Sequence, residues 1–317
     1  MKKILITGIT GFTGSHLADY CINKYDIYGL TRGRYQQYNF IDHIKDRIKL
    51  IIGDLSDIHS IRRCLEDSEP DIVFHLGAQT SVPMSWRAPK LTIDSNTLGT
   101  LNLLESVRKS RYNPTIIIIG TSEEYGIVYP NETPIKETNP LRPLSPYGVS
   151  KIATDMLGYQ YHQSYGLKTI RLRPFNIVGP RGGTEIITAN FAIQLTNIEK
   201  GKEPYIDVGN LKSIRDFNDV RDIVRAYDMS IDKCDYGDVY NVCTGIGITM
   251  KTLLTTMVKL SKIDKKVYTK IDQNRLRPSD VENLIGDSSK FRNKTGWMPQ
   301  YTLDKSLLDV LEYWRNQ

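Results

Sequence analysis

The chain has 317 residues, 40% of them hydrophobic and 25% charged, enough to bury a sizeable core and too apolar for a disordered or fibrous protein. The net charge of +6 is scattered, without basic runs or interleaved aromatics, which argues against nucleic acid as a partner and suits an anionic small molecule. Cys21, Cys64, Cys234 and Cys243 lack metal-site spacing, and neither a signal-peptide core nor an apolar run of spanning length is found, so we expect reduced thiols, no metal site, no membrane span and a place in the cytoplasm.

Residues 3–7 form an apolar β-rich run, followed by a glycine turn and a helical pattern over 15–24. Strands are expected at 26–30, 48–52, 71–76, 115–120 and 168–173. Helices are expected at 57–66, 92–109 and 146–165. Strands alternating with helices make an α/β protein with a doubly wound parallel sheet of the Rossmann type, which binds ligands beyond the strand C-termini. Trp86 and Trp297 read as packing residues, and His75, alone at a strand end, as structural. After Pro174 the rhythm breaks at NIVGPRGGTE. We therefore expect a dinucleotide-binding domain over 1–173, with the chain returning to it near 211–245. A smaller α/β substrate-binding lobe is expected over 174–317.

The first turn reads Gly8-Ile9-Thr10-Gly11-Phe12-Thr13-Gly14. Glycines between a strand and a helix let backbone N–H groups approach a pyrophosphate at the helix N-terminus. At the end of the second strand stand Arg32 and Arg34, where NAD enzymes place an acid. Two guanidinium groups there favour the 2′-phosphate of NADP, with NAD as the alternative if both are solvated loop charges. Asp54, ending the third strand, is placed to accept from the adenine amino group, or else simply starts a helix.

Tyr147 and Lys151, in the string SPYGVSK, are four apart and share one helical face. An ammonium beside a phenol favours the phenolate, which can take a hydroxyl proton while hydride leaves the same carbon. The string GTSEEYG closes the 115–120 strand. In an extended chain Thr121 and Glu123 face the cleft together, while Ser122 and Glu124 face away, leaving Glu124 a loop hydrogen bond or a surface role.

GITGFTG, GDLSD, HLGAQTSV, Asn96, TSEEYG, YGVSK, RDFNDVRDIV and RPSD together span nearly the whole chain. On these motifs it resembles the extended short-chain dehydrogenase/reductases that act on nucleotide sugars. Within them it is most similar to the GDP-mannose 4,6-dehydratases and the related GDP-4-keto-6-deoxymannose reductases. The resemblance implies a two-lobe fold, tightly held NADP, a GDP-sugar substrate, and a homodimer joined by the 92–109 and 147–165 helices as a four-helix bundle. It implies that Phe12, Thr13, Leu55, Leu76, Ala78, Asn96, Tyr147 and Lys151 complete the cofactor site. It gives Thr121 the sugar C4 hydroxyl and Glu123 the general acid/base role, for which a raised pKa would be useful. It places Ser85, Asn176 and Asn190 on the substrate, Arg215 and Arg277 on the diphosphate, and Arg181 with Asp280 or Glu282 on the nucleotide. The reductases carry a similar SEEYG string, so C4 reduction, or C4 oxidation alone, stays open beside dehydration. A hexose or a heptose stays open as the sugar.

Overall fold

In the computed structural model, which describes residues 1–33, 40–276 and 281–317, the alternation expected from the sequence is realised. The strands in chain order are β1 (Lys3–Thr7), β2 (Asp26–Thr31), β3 (Lys49–Ile52), β4 (Ile72–His75), β5 (Thr115–Ile119), β6 (Thr169–Pro174), β7 (Asn176–Val178), β8 (Tyr205–Val208), β9 (Ile214–Asp219), β10 (Val239–Val242), β11 (Gly247–Thr249), β12 (Tyr268–Ile271) and β13 (Asn283–Leu284). The helices are α1 (Phe12–Cys21), α2 (Ile58–Ser68), α3 (Val82–Arg87), α4 (Pro89–Ile93), α5 (Gly99–Lys109), α6 (Pro146–Tyr165), α7 (Ile187–Glu199), α8 (Val220–Lys233), α9 (Met250–Leu260), α10 (Ser289–Thr295) and α11 (Leu303–Arg315).

Seven parallel strands form one sheet in the order β10-β6-β5-β4-β1-β2-β3. Strands such as β1 (KILIT), β4 (IVFH) and β5 (TIIII) read as nearly continuous apolar runs because both sheet faces are covered. Ile4, Ile6 and Ile117 turn to one face, against Leu17 and Ala18 of α1 and Ile223, Val224 and Tyr227 of α8. Leu5, Ile116 and Ile118 turn to the other, against Ile61 and Leu65 of α2 and Leu103, Leu104 and Val107 of α5. Strand order reverses at β1, so the crevice beyond the C-termini of β1 and β4 is the switch point where such sheets take ligands.

The remaining strands build smaller sheets: β9 lies between β11 and β13 and also pairs with β7, and β8 pairs with β12. They pack with α7, α9 and α11 around Phe191, Leu195, Leu253, Leu254, Leu307 and Leu311. Because β7 follows β6 across one residue, the catalytic sheet feeds its chain directly into this second core.

Two expectations change. The helix expected over 92–109 is interrupted: a π-helical turn, Asp94–Leu98, joins α4 to α5 and carries Asn96. A single wide turn shifts register by one residue, which periodicity over a long window does not reveal. Trp297 is fully buried as a packing residue, but Trp86, expected to pack as well, is 37% exposed on α3.

Candidate active site

The glycine turn is shaped for close approach. Gly8 has φ +72, and a Cβ on it would stand 2.9 Å from Gly77 Cα; one on Gly14 would stand 2.2 Å from Gly8 O. The α1 N-cap is Gly11, with no side chain closing the first turn, so its N–H groups stay available to an anion. Phe12 and Thr13 begin that helix, half-buried. Leu55 packs under the facing loop: a Cβ on Gly77 would meet its Cδ1 at 2.7 Å. Leu76 and Ala78 are half-buried beside it, and Arg32 is exposed just past β2. These residues fit a dinucleotide's pyrophosphate and adenosine ribose. Arg34 lies outside the described residues.

Three expected contacts are placed differently. Asp54 Oδ1 accepts from Ser56 N at 2.9 Å and Ser56 Oγ at 2.8 Å, so this carboxylate oxygen closes its own loop. Asn96, expected on the cofactor, is buried. Its Oδ1 accepts from Gln79 N at 2.7 Å, and its Nδ2 donates to Gln79 O and to Ser150 Oγ, both at 2.9 Å. It ties the loop after β4 to α6. Ser85 is fully buried and donates to Val82 O at 2.7 Å, closed away from any sugar in this arrangement.

The helix bearing the YxxxK pair starts at Ser145, whose Oγ accepts from Gly148 N at 3.0 Å, followed by Pro146 in the first turn. This fixes Tyr147 and Lys151 beneath the end of β5. The Thr121 hydroxyl and the Glu123 carboxylate are both electrostatic neighbours of the Tyr147 phenol. Thr121, Glu123 and Tyr147 therefore converge.

They do not converge by strand alternation. Ser122–Glu124 is one turn of 3-10 helix capped by Thr121: Oγ1 of Thr121 accepts from Glu123 N at 3.3 Å, and Glu124 Oε1 accepts from Thr121 N at 2.8 Å. Glu124, expected at the surface, is fully buried, while Glu123 is half-buried. The loop hydrogen bond assigned to Glu124 is present; the surface role is not.

The electrostatics also correct the sequence reading. Burial pushes the Tyr147 phenol above its ordinary range, the Thr121 hydroxyl works against that, and Glu123 and Glu124 add to it. The expected lowering by Lys151 does not hold in this arrangement, since the Lys151 ammonium donates to Ile119 O. Burial lowers the Lys151 pKa, while Glu124 and Asp155 hold it up.

His75, expected to be structural, bridges Thr7 Oγ1 at 3.0 Å and Thr100 Oγ1 at 2.9 Å. Burial, helped by Lys151, lowers its pKa from 6.5 to about 3. The unfolded chain then takes up this proton first as pH falls. Stability is whole above pH 6.5 and declines from there toward pH 3. We expect His75 to cost the wild type roughly 2 kcal/mol between about pH 7.5 and 5. Unfolding free energies from urea titrations at the two pH values should fall less in H75Q by that amount; equal falls would refute the assignment.

On the substrate side, Asn176 lies at the start of β7, and its Oδ1 is buried with no hydrogen-bond partner among the described residues. Arg215 is buried on β9, with Nη1 donating to Ile214 O at 2.9 Å. Arg181, expected on the nucleotide, instead pairs with Asp19 of α1 at 2.8 Å. Asn190 Oδ1 accepts from Arg275 Nη1 at 2.7 Å. Glu282 is exposed next to β13, and Arg277 and Asp280 lie outside the described residues.

Sequence reasoning missed the ions beneath the turn. Arg171 Nη1 pairs with Asp155 Oδ1, and Arg173 Nε lies 2.9 Å from both Asp155 Oδ2 and Glu124 Oε2. The signal was present in TIRLRP: two arginines on one face of a central strand require buried acids.

The family model described as GDP-mannose 4,6 dehydratase matches residues 5–310. The GDP-mannose 4,6-dehydratase of Vibrio cholerae is 33% identical over 98% of this chain and 93% of its own length. The GDP-6-deoxy-D-mannose reductase of Pseudomonas aeruginosa is 29% identical over 100% of this chain and 98% of its own. The structure of RMD from Pseudomonas aeruginosa complexed with NADPH superposes with a TM-score of 0.85 at 28% identity, covering 99% of each chain. Nicotinamide dinucleotide is therefore the cofactor class that this fold and site support.

Proposed function

Because the chain belongs to the GDP-mannose 4,6-dehydratase family, we propose that it converts a GDP-linked manno-configured sugar to its 4-keto-6-deoxy form through bound NADP. The observation that carries this reading is the convergence of Thr121, Glu123 and Tyr147 at the end of β5. Thr121 holds the sugar C4 hydroxyl, and Tyr147 takes its proton as C4 becomes a ketone. The ketone acidifies C5–H. Glu123 removes that proton and protonates the departing C6 hydroxyl, so water leaves. A nicotinamide held by the glycine turn would supply the hydride acceptor for C4 and, reduced, the donor for C6, so the redox balance closes at zero.

NADP over NAD rests on Arg32 and on the lack of an acid at 30–34. On the substrate side, the unpartnered Asn176 Oδ1 suits a sugar hydroxyl. Arg215, with Arg277, is assigned to the diphosphate. Asp280, Ser85, Asn190 and Arg181 remain weaker assignments, since the last three are engaged elsewhere. The division at 173/174, with β10 returned to the large sheet, belongs to this reading, as does the cytoplasm, where the four free, buried thiols would stay reduced.

A second reading, a C4 oxidoreductase of a GDP-sugar, is favoured by the full-length match to the Pseudomonas reductase. Incubating the protein with GDP-mannose without added cofactor, followed by mass spectrometry, separates them. Catalytic loss of water supports dehydration. Turnover only of a 4-keto sugar with NADPH assigns reduction. Stoichiometric loss of two hydrogens assigns C4 oxidation.

We also assign a homodimer. Leu91 of α4, Leu98 of the π turn, and Val149, Met156 and Tyr159 of α6 are 57%, 47%, 48%, 38% and 46% exposed, on the helices expected to pair. Sedimentation equilibrium should give twice the chain mass, and L98E with M156E should give one; a monomeric wild type would exclude it.

A further inference from the structure

The turn after β5 carries a second carboxylate for which the proposed reaction has no use. Glu124 is fully buried, and a Cβ on Gly120 would stand 2.4 Å from its Oε1, so glycine before Thr121 gives the carboxylate its place. Glu124 Oε1 holds Thr121 N, and the Lys151 ammonium holds Ile119 O, main-chain groups two residues apart on one strand end. Behind them stand Arg173 and Asp155, and then Arg171. The one N–H of Arg173 Nε is aligned on Asp155 at 2.9 Å, leaving Glu124 Oε2 with the charge but no hydrogen bond.

All five side chains are buried, three basic groups against two carboxyl groups. Burial, with Asp155 beside it, raises the Glu124 pKa to about 8 against the pull of Arg173 and Lys151, so its charge is fully present on the alkaline side. Arginines do not give up protons. Any carboxylate charge lost from the cluster must then be answered at the lysine. Of the other titratable groups nearby, burial holds His75 of β4 neutral and holds the Tyr147 phenol, one turn back, above its ordinary range.

We propose that Glu124 is a positioning residue that keeps Lys151 cationic while pinning Thr121, so that one buried carboxylate serves both the lysine and the hydroxyl. This rests on reading Lys151 as an ammonium of the cofactor site. The carboxylate acts through Lys151 and Thr121 and touches no substrate.

E124Q tests it, since an amide oxygen still accepts from Thr121 N while the charge is gone. NADPH affinity is measured by fluorescence between about pH 6 and 10 on nucleotide-free protein, beside the pH profile of kcat. In the wild type NADPH affinity should fail only on the alkaline side, as Lys151 loses its proton, and kcat should show the same alkaline limit above its rise with Tyr147 ionisation. In E124Q that failure should come roughly one pH unit or more lower, the scale of a charge lost a few ångströms away. E124D, which keeps the charge, should stay near the wild type. If E124Q does not fold, D155N removes the other carboxylate facing Lys151 and must move the limit the same way. Profiles of E124Q or D155N that superimpose on the wild type overturn the proposal, even with reduced activity. Failure of the wild type to bind NADPH overturns the reading of Lys151 and the proposal with it, whereas NADPH binding without GDP-mannose dehydration strikes only the reaction assigned above.

Discussion

Replacing Tyr147 by phenylalanine is expected to lower turnover by roughly three to four orders of magnitude while leaving nicotinamide binding nearly unchanged. The ring fills the same buried place at the start of α6, where Ser145 and Pro146 set the helix without help from the phenol. What is lost is the phenol oxygen beside Thr121, the group assigned to take the C4 proton. Burial holds the phenol above its ordinary range, so the ionised fraction, and with it wild-type turnover, should climb with pH through the neutral region. The residual rate of Y147F should lack that climb. Single-turnover measurements across pH check both statements. A variant within tenfold of the wild type, or one that keeps the same pH slope, would remove Tyr147 from the proton transfer.

The parts of this site that were legible in the sequence are those written as local repeats. Ile116 to Ile119 read as a buried strand because both sheet faces take apolar side chains. Tyr147 and Lys151 read as one helical face because four residues nearly close a turn. The turn at 121–124 was misread for a physical reason. Thr121 followed three residues later by Glu124 is a capping box, and that signal belongs to a helical start, not to a continuing strand. Alternation gave Glu123 its correct partner, Thr121, and sent Glu124 to the wrong environment. The π turn at Asn96 escaped because one added residue in a helix leaves the apolar stripe almost intact. The links from Asp155 to Arg171 and Arg173 join α6 to β6, a pairing set by packing that no single-chain periodicity contains.

Replacing Glu123 by glutamine should leave C4 oxidation running and slow the loss of water by roughly two to four orders of magnitude. The turn itself does not depend on this carboxylate. Thr121 Oγ1 is bound by the main-chain N–H of Glu123, and the other half of the capping box comes from Glu124. The variant should therefore fold as the wild type does, with Thr121 and Tyr147 still in contact. The amide can neither take the C5 proton nor give one to the C6 hydroxyl. On mixing E123Q with GDP-mannose, a 4-keto sugar that keeps its C6 oxygen should build up to about one equivalent per site, with a matching rise in reduced-nicotinamide absorbance. Exchange of C5–H for solvent deuterium should disappear. Water loss within tenfold of the wild-type rate would take the base role from Glu123. Simultaneous loss of C4 oxidation would move Glu123 into the first proton transfer beside Tyr147, because only a group needed before the ketone forms can block its formation.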